Sequence, residues 1–559
     1  MANERTISRR SFLTGAVLSA AAVAAAPAAT ALAAEGAEGK AASENPSWLG
    51  EAPEIAESDI TSERSCDLLI VGAGNGGMMA ASTAADLGLD FIIAEKGIKM
   101  ARARGWFGAV NTKYYTDQGI TVDVSRLRGE IIRYSQGYCN MQVVNTWFNE
   151  SAEMFDYLDP LLKAAGMKPR PCEFDLRGMG GTDFYCPPIE HTYSSGSNGE
   201  SRNDVFLAHI QELGYDIDYS HDLVRLTQDD SGKVTGAIFK TPDGYERIVA
   251  NNVLLTTGGY AANPEMLDAL EPNVARSCTA SAWWPCNTGA GIKAAMWAGA
   301  HKDEKGAVMI FDRGIVPPGT KAGWTEESVK KGRPQLPSSG QFNTGTQPFL
   351  KVNVRGERFT NESADYDYLP NAATNQPNGV YCIIWDADIK QDVDTFHTLG
   401  CSAGTRDMFD QYNGPGGVYE MEIENGRLFK CDTLEELAEK LQLPVDTFMA
   451  TVERYNQLCA DGYDADFGKE PYRMTPLDHP PYYGATIGGC LLTTLSGLSI
   501  DKDMRVLDRD CNPIEGLFAA GDCSGGVFAN NYPDQLHGMA VGRTMTFARH
   551  AVRYIAGDL

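Results

Sequence analysis

The sequence predicts an α/β fold, a Rossmann-like domain interrupted by an inserted α+β capping domain. Three apolar runs that end at glycines predict buried parallel strands: CDLLIV (66–71), NVLLTT (252–257) and GLFAA (516–520). Such strands bring the turns that follow them to one edge of a sheet, where ligands bind in this class of fold. The stretch between the second and third runs is far longer than a crossover connection. We therefore expect an inserted domain there, over residues 283–480.

The first run opens a βαβ unit. It continues through the turn Gly72-Ala73-Gly74-Asn75-Gly76-Gly77 into an Ala-rich helix, and the strand DFIIAE (90–95) follows. The turn carries the pattern G-x-G-x-x-G, in which glycines let backbone N–H groups approach a pyrophosphate at a helix N-terminus. Glu95, at the end of the second strand, can accept hydrogen bonds from ribose hydroxyls. The unit predicts a dinucleotide site.

Two further strand ends favour FAD over a nicotinamide cofactor, because an extended FAD needs anchors far from its adenosine end. Asp522 follows the third strand and is placed to bind ribityl hydroxyls. The segment Gly538-Met539-Ala540 precedes the last helix, whose N–H groups would face the flavin pyrimidine and stabilise a reduced, anionic flavin. We therefore expect a glutathione-reductase-type FAD-binding domain with FAD held non-covalently.

The predicted cofactor contacts lie in the glycine turns, the strand ends and the start of the last helix. They are Gly72, Gly74, Asn75, Gly76, Gly77, Glu95, Lys96, Gly105, Gly108, Asn111, Val224, Thr257, Gly258, Gly521, Asp522, Gly538, Met539 and Ala540.

The N-terminus has the pattern of an export signal. Ser8-Arg9-Arg10-Ser11-Phe12-Leu13 is a twin-arginine motif, an Ala-rich apolar stretch follows, and Ala31-Leu32-Ala33 fits the small-x-small cleavage rule. An uncleaved membrane anchor is the alternative. We predict an extracytoplasmic enzyme, in the periplasm or at the cell surface. The expected organisation is a signal peptide (1–34), a linker (35–64), an FAD-binding domain in two parts (65–282 and 481–559) and the capping domain (283–480).

Composition excludes several classes of partner and metal. The formal net charge of −26 disfavours nucleic acid and anionic membranes, although solubility alone also explains it. The chain has 13 cysteines, none spaced C-x-x-C, so we expect no zinc ribbon, ferredoxin-type cluster, haem or other metal site. A cluster built from distant cysteines remains an alternative.

Five segments together resemble the fumarate reductase/succinate dehydrogenase flavoprotein superfamily. In chain order they are CDLLIVGAGNGGMMAASTAADLGLDFIIAEKG, VLLTTGGYAANPEM, GAGIKAAMWAGA, PFLKVNVRGERFTNES and VLDRDCNPIEGLFAAGDCSGGVFANN. The resemblance covers most of residues 65–555 and implies FAD and an oxidoreductase.

Departures from the family pattern bear on the substrate. Soluble fumarate reductases carry an arginine acid shortly after the R-F-x-N-E motif, where this chain has Tyr366. Tyr532 stands in place of a second, carboxylate-binding arginine, and Thr493 in place of a histidine. Without these guanidinium groups a dicarboxylate is not expected. The two tyrosines instead resemble those of flavin-dependent 3-ketosteroid dehydrogenases, which implies proton exchange by Tyr366 and polarisation of a ketone by Tyr532.

These observations predict an exported terminal reductase of anaerobic respiration that reduces an activated C=C bond, in an enone or enoate. Flavin N5 would deliver hydride, Tyr366 would protonate the neighbouring carbon, and Tyr532 would stabilise the developing enolate. The substrate would be carbonyl-bearing, and a separate membrane or extracytoplasmic carrier would donate the electrons. Two alternatives remain: a dehydrogenase that introduces the C=C bond, and a non-enzymatic flavin electron shuttle. His537 is a candidate acid–base group or a structural histidine.

Overall fold

The computed structural model describes most of the chain after the N-terminal segment. The described residues are 45–101, 104–172, 174, 186–282, 286–364, 366–533 and 535–559. The predicted signal peptide, the linker up to residue 44 and Trp283-Trp284, predicted to begin the inserted domain, lie outside them. Across the described residues, none of the helices combines the length and apolar character needed to span a bilayer.

Strands occur along the whole length of the described chain and are numbered here in chain order. In order they are β1 (Ile60–Val71), β2 (Phe91–Glu95), β3 (Phe107–Gly108), β4 (Pro169–Arg170), β5 (Glu190–Tyr193), β6 (Ile217–Tyr219), β7 (Asp222–Gln228), β8 (Val234–Thr241), β9 (Gly244–Leu255), β10 (Cys278–Ser281), β11 (Val308–Val316), β12 (Ser338–Ser339), β13 (Leu350–Asn353), β14 (Tyr381–Trp385), β15 (Leu428–Cys431), β16 (Tyr482–Thr494), β17 (Arg505–Leu507) and β18 (Pro513–Ala519).

Helices connect and cover these strands. They are α1 (Asn75–Asp86), α2 (Lys113–Thr116), α3 (Val124–Tyr134), α4 (Met141–Ala164), α5 (Arg202–Glu212), α6 (Pro264–Leu270), α7 (Val274–Ser277), α8 (Ala290–Trp297), α9 (Glu326–Lys330), α10 (Tyr368–Ala373), α11 (Ile389–Thr395), α12 (Gly404–Asp407), α13 (Phe409–Asn413), α14 (Val418–Glu424), α15 (Leu434–Lys440), α16 (Val445–Asp461) and α17 (Met539–Ala556). Short 3₁₀ turns occupy Glu57–Asp59, Asn343–Thr346, Pro377–Gly379, Gly400–Ala403, Pro471–Arg473 and Gly521–Cys523.

The first sheet holds the three predicted strands side by side, in the order β17-β18-β9-β1-β2-β6. β18, β9, β1, β2 and β6 run parallel, whereas β7 and β8 form an antiparallel extension on β9. Their apolar side chains are buried on both faces, as expected of a parallel sheet covered by helices. α17 packs against α1 and α4 beside this sheet.

The strand β1 begins earlier than the sequence predicts. Its polar first part pairs with β9, from Ser62 opposite Glu246 to Arg64 opposite Ile248, and lies within the segment predicted as linker. These residues are mostly exposed, so their sequence lacks the apolar pattern of the buried half. Backbone hydrogen bonds to β9 determine where β1 begins, because exposed polar side chains do not prevent strand pairing.

A second sheet is built around the long strand β16. β10, β11, β14 and β15 all pair with it, and β12 and β13 complete the sheet; β3, β4 and β5 form a small third one. Two buried apolar clusters accompany the second sheet, apart from the larger core beneath the first. The α/β fold with an inserted α+β capping domain is thereby confirmed. The boundaries at 283 and 480 stay predictions.

A buried ion network anchors the segment that follows β13. Arg358 donates from Nε to Glu362, with N···O 2.7 Å, and from Nη2 to Asp464, with N···O 2.8 Å, all three side chains being almost fully buried. The same guanidinium lies over the ring of Tyr455, 5.1 Å from its centroid. The arginine and glutamate of the R-F-T-N-E motif therefore hold this segment in place.

We expect Arg358→Ala to lower the free energy of unfolding by about 3–5 kcal/mol, because it removes the cation shared by two buried carboxylates, of which only Glu362 keeps another, Lys469 at 3.8 Å. Urea unfolding followed by circular dichroism measures the loss. The control is Arg454→Ala, which breaks a half-exposed pair with Asp466 and should cost at most about 1 kcal/mol. Equal losses in the two variants would contradict the assignment.

Candidate active site

The turn between β1 and α1 has the backbone geometry of a phosphate-binding loop. Gly72 has φ +103°, and a Cβ there would lie 2.7 Å from the Thr256 carbonyl oxygen. A Cβ on Gly77 would lie 1.8 Å from the Gly72 carbonyl oxygen, so only glycine fits. Gly74 differs, because a Cβ there would have no heavy atom within 4 Å. Open space therefore faces the backbone at the N-terminus of α1, where a diphosphate binds favourably.

Glu95 ties the end of β2 to this turn. Its carboxylate accepts hydrogen bonds from the Ala73 amide, at 2.9 Å, and the Gly97 amide, at 2.8 Å. The neighbouring Lys96 donates from Nζ to Thr288 Oγ1, at 3.1 Å. The structure therefore places Glu95 and the predicted pyrophosphate turn together.

Arg202, at the start of α5, belongs to the same turn and was missed by sequence analysis. Its guanidinium donates to Asn75 Oδ1, at 3.0 Å, and to the carbonyls of Arg104, at 2.9 Å, and Gly105, at 3.3 Å. Its buried Nε has no hydrogen-bond partner. A buried cation with a spare donor, beside open space at a helix N-terminus, suits an anionic diphosphate. The residues present fit the adenine dinucleotide part of FAD.

The strand ends of β9 and β18 form the neighbouring part of the site. Gly258 and Gly521 both have positive φ, and the Thr257 side chain lies against Gly291 of α8. The Asp522 carboxylate accepts from Thr493 Oγ1, at 2.7 Å, and from Arg543 Nη2, at 3.3 Å.

The pKa of Asp522 is raised by burial, against the opposing effect of the Arg543 guanidinium. Two of the lone-pair positions of this carboxylate are used inside the protein. The remaining ones suit the hydroxyl donors of a ribityl chain.

The start of α17 contacts the segment that carries Gly108, one of the predicted cofactor contacts. The Gly108 amide donates to the Gly538 carbonyl, at 2.7 Å, and a Cβ on Gly108 would lie 2.9 Å from the Met539 nitrogen. Gly538, Met539 and Ala540 are thus held against Gly108 as predicted for a flavin site.

Gly105, Val224 and Asn111 stay predictions as cofactor contacts. Gly105 is exposed, and Val224 lies half-buried in β7. Asn111 has φ +53° and accepts the Val122 amide on its Oδ1, at 2.8 Å, which is the role of a turn residue.

A cavity lined in part by Asp312 of β11 brings Tyr366 and His537 together. Its other polar lining includes Glu362 and Arg473. The half-buried Tyr366 ring packs edge-on against Phe311, with centroids 4.4 Å apart. The cavity therefore brings Tyr366, the predicted proton donor, close to His537. This histidine precedes the end of α17 that is predicted to face the flavin.

Tyr532 has a different position. It is 5% exposed, and its hydroxyl donates to the Leu536 carbonyl, at 3.2 Å, and accepts from the Ala540 amide, at 3.4 Å. It is not among the described residues that line the cavity with Tyr366. The structure connects the two predicted tyrosine segments through Asp367, whose Oδ2 accepts the Tyr532 amide at 3.4 Å.

His537 is buried, which lowers its pKa to about 4, so the ring is neutral near pH 7. Its Nδ1 lies 3.3 Å from the Cys186 sulfur. Gly400 packs so closely on the ring that a Cβ there would lie 2.7 Å from it. The histidine therefore shapes the cavity without carrying a charge.

The family model of the FAD binding domain matches residues 67–535, a range that holds the glycine turn, β9, the cavity and Tyr532. The chain belongs to this family. The match confirms FAD as the cofactor. Together with the relatives, which include a 3-oxosteroid 1-dehydrogenase and a urocanate reductase, it confirms an oxidoreductase that acts on carbon–carbon bonds.

Relatives and solved structures agree with this assignment. The vinyl phenol reductase of Lactiplantibacillus plantarum is 28% identical over 501 residues, which cover 88% of this chain and 96% of that protein. A flavocytochrome c3 fumarate reductase superposes with a TM-score of 0.63 at 24% identity, over 92% of this chain and 82% of that one. The 3-ketosteroid Δ1-dehydrogenase of Sterolibacterium denitrificans gives a TM-score of 0.65 at 20% identity, over 89% of this chain and 100% of that one. The predicted superfamily, fumarate reductase/succinate dehydrogenase with ketosteroid dehydrogenase similarity, is confirmed.

We expect Gly74→Ala to fold normally and to bind FAD at least about tenfold more weakly, because its methyl group would enter only the space left for the diphosphate. Titration of apoprotein with FAD, followed by flavin fluorescence, gives the affinity. Gly129→Ala in α3, where a Cβ also has open space, is the control. Unchanged affinity in Gly74→Ala would place the diphosphate elsewhere.

Proposed function

We propose that this FAD enzyme reduces an activated C=C bond, in an enone or enoate, with Tyr366 as the proton donor. The observation that supports this most directly is the cavity lined by Tyr366, which adjoins the start of α17 through His537. The vinyl phenol reductase relative, named for reduction of a vinyl group, is consistent with the proposal. When bound, FAD supplies hydride chemistry to a substrate carbon.

The protein's own contribution is to hold the substrate, exclude water and move a proton. A tyrosine hydroxyl with a reference pKa of about 10 keeps its proton at neutral pH and can act as a general acid. Phe311 packs on the Tyr366 ring and fixes its orientation. Tyr366 would protonate the carbon next to the activating group, and solvent would restore the hydroxyl proton.

Tyr532 is proposed to act on the activating carbonyl. Its hydroxyl lies at the N-terminus of α17, where it accepts the Ala540 amide. The Tyr532 hydroxyl now donates to the Leu536 carbonyl, and a substrate carbonyl oxygen would take that place. The hydrogen bond would then stabilise the enolate charge that develops on the substrate oxygen.

Dehydrogenation is the second candidate function. It is favoured by the likeness to 3-ketosteroid dehydrogenases, whose fold this chain shares over 89% of its length. The same tyrosine would then remove a proton instead of supplying one. The potential of the electron carrier sets the direction, and we propose a separate extracytoplasmic or membrane donor that favours reduction.

Tyr366→Phe should retain bound FAD and lose about 100-fold or more of the turnover with enones, since the variant lacks the acidic hydroxyl but keeps the ring that packs on Phe311. Anaerobic assays with dye-reduced enzyme measure it. Tyr463→Phe, at an exposed position, is the control. Full turnover by Tyr366→Phe would remove the tyrosine-acid mechanism.

Export by the twin-arginine route is a further part of the proposal. Replacing Arg9 and Arg10 by lysines should leave folded, FAD-loaded protein in the cytoplasm, because that route reads the arginine pair. Cell fractionation with immunodetection measures the distribution, with Arg5→Lys as the control. Unchanged export of the double variant would exclude the route.

A further inference from the structure

Arg313, on β11, has a position that the proposed mechanism does not use. It is 3% exposed, and its guanidinium lies 4.4 Å from the ring centroid of Phe311 and 5.9 Å from that of Tyr366. A positive charge therefore stands beside the proposed proton donor.

The hydrogen-bond partners of Arg313 are all neutral oxygens. Nη1 donates to Gln341 Oε1, at 2.8 Å, and Nη2 donates to the Cys401 carbonyl, at 2.7 Å, and to Thr346 Oγ1, at 3.4 Å. Nε is buried without a partner. Within the described residues no carboxylate lies in ion-pair range of this guanidinium, although burying an unpaired charge is costly.

The neighbouring buried cations are neutralised. Lys351 pairs with Asp312 at 3.0 Å, and Arg358 pairs with Glu362 and Asp464. Unlike these two cations, Arg313 has no carboxylate within ion-pair range in the described protein. Thr346, one of its partners, lines the cavity with Tyr366, so the guanidinium lies one hydrogen bond behind the wall of the space that a substrate would fill.

We infer that Arg313 binds the carboxylate of an anionic, monocarboxylate enoate and so determines substrate class. This rests on the proposed function and narrows it from enone or enoate to enoate. Nε, which has no partner in the protein, can donate to a carboxylate, and that carboxylate supplies the missing counter-ion. Because this is one anchor, it is compatible with the absence of the two arginines that a dicarboxylate would need.

The test compares wild type with two variants. Arg313→Gln removes the charge. Gln341→Glu keeps the arginine and gives it a carboxylate partner within the protein, so it competes with an anionic substrate without removing any packing around Tyr366. Arg473→Gln, at the buried arginine that lines the cavity, tests the alternative anchor.

Each enzyme is assayed with dye-reduced flavin on cinnamate and on cinnamamide, which is neutral and nearly the same shape. Dissociation constants of the saturated acid and amide are measured separately, from perturbation of the flavin absorbance. Flavin content and thermal unfolding of each variant establish that it is folded.

In both Arg313→Gln and Gln341→Glu, we expect the KM for the acid divided by the KM for the amide to rise on the order of 10- to 100-fold. The dissociation constant of the saturated acid divided by that of the saturated amide should rise by a similar factor. If Arg313→Gln weakens binding of the acid and the amide equally, Arg313 has a purely structural role. If only Arg473→Gln weakens acid binding selectively, Arg473 and not Arg313 binds the carboxylate. If the wild-type enzyme reduces neutral enones and shows no preference for acids, the role of Arg313 is overturned but the proposed function is not. Wild type that reduces no activated C=C bond overturns the proposed function itself.

Discussion

The structure depends on the common end point of four parallel strands. Val71 lies opposite Ala94 of β2 and Leu255 of β9, and Leu255 lies opposite Ala519 of β18. The chain therefore leaves the sheet at one level in four places, and the turns that follow face a shared space. A shift of one residue in any pair would turn its buried side chains to the opposite face. The register that builds the core is thus the register that aligns the cofactor site.

Local sequence patterns were sufficient to find this edge, because each strand and the glycines after it are adjacent in the chain. The turn at Gly72 and Gly77 is fixed by contacts with its own strand and with Thr256, so its signature survives in a short window. Glu95 was predictable for the same reason. FAD, the sheet and the capping domain followed from such windows.

The residues that were not predictable depend on pairing between distant segments. Arg313 lies in an apolar run that reads as a core strand, and its partners at 341, 346 and 401 come together only when β11 pairs with β16. Arg202 lies within the capping box at the start of α5 and has no local sign that it reaches Asn75 at the start of α1. Tyr532 could be assigned to the site by resemblance, but the direction of its hydroxyl depends on the packing of α17.

The charges of the cavity bear on which group can supply a proton. His537 is neutral near pH 7, because burial brings its pKa to about 4. Burial raises the pKa of Asp312 to about 6, against the opposing effect of Lys351, so this carboxyl also loses its proton below pH 7. Both groups are therefore deprotonated at the pH where a tyrosine hydroxyl is still intact. In the proposed reductase, Tyr366 would therefore supply the proton rather than His537 or Asp312, and the Arg313 cation beside it would lower the cost of leaving a phenolate there.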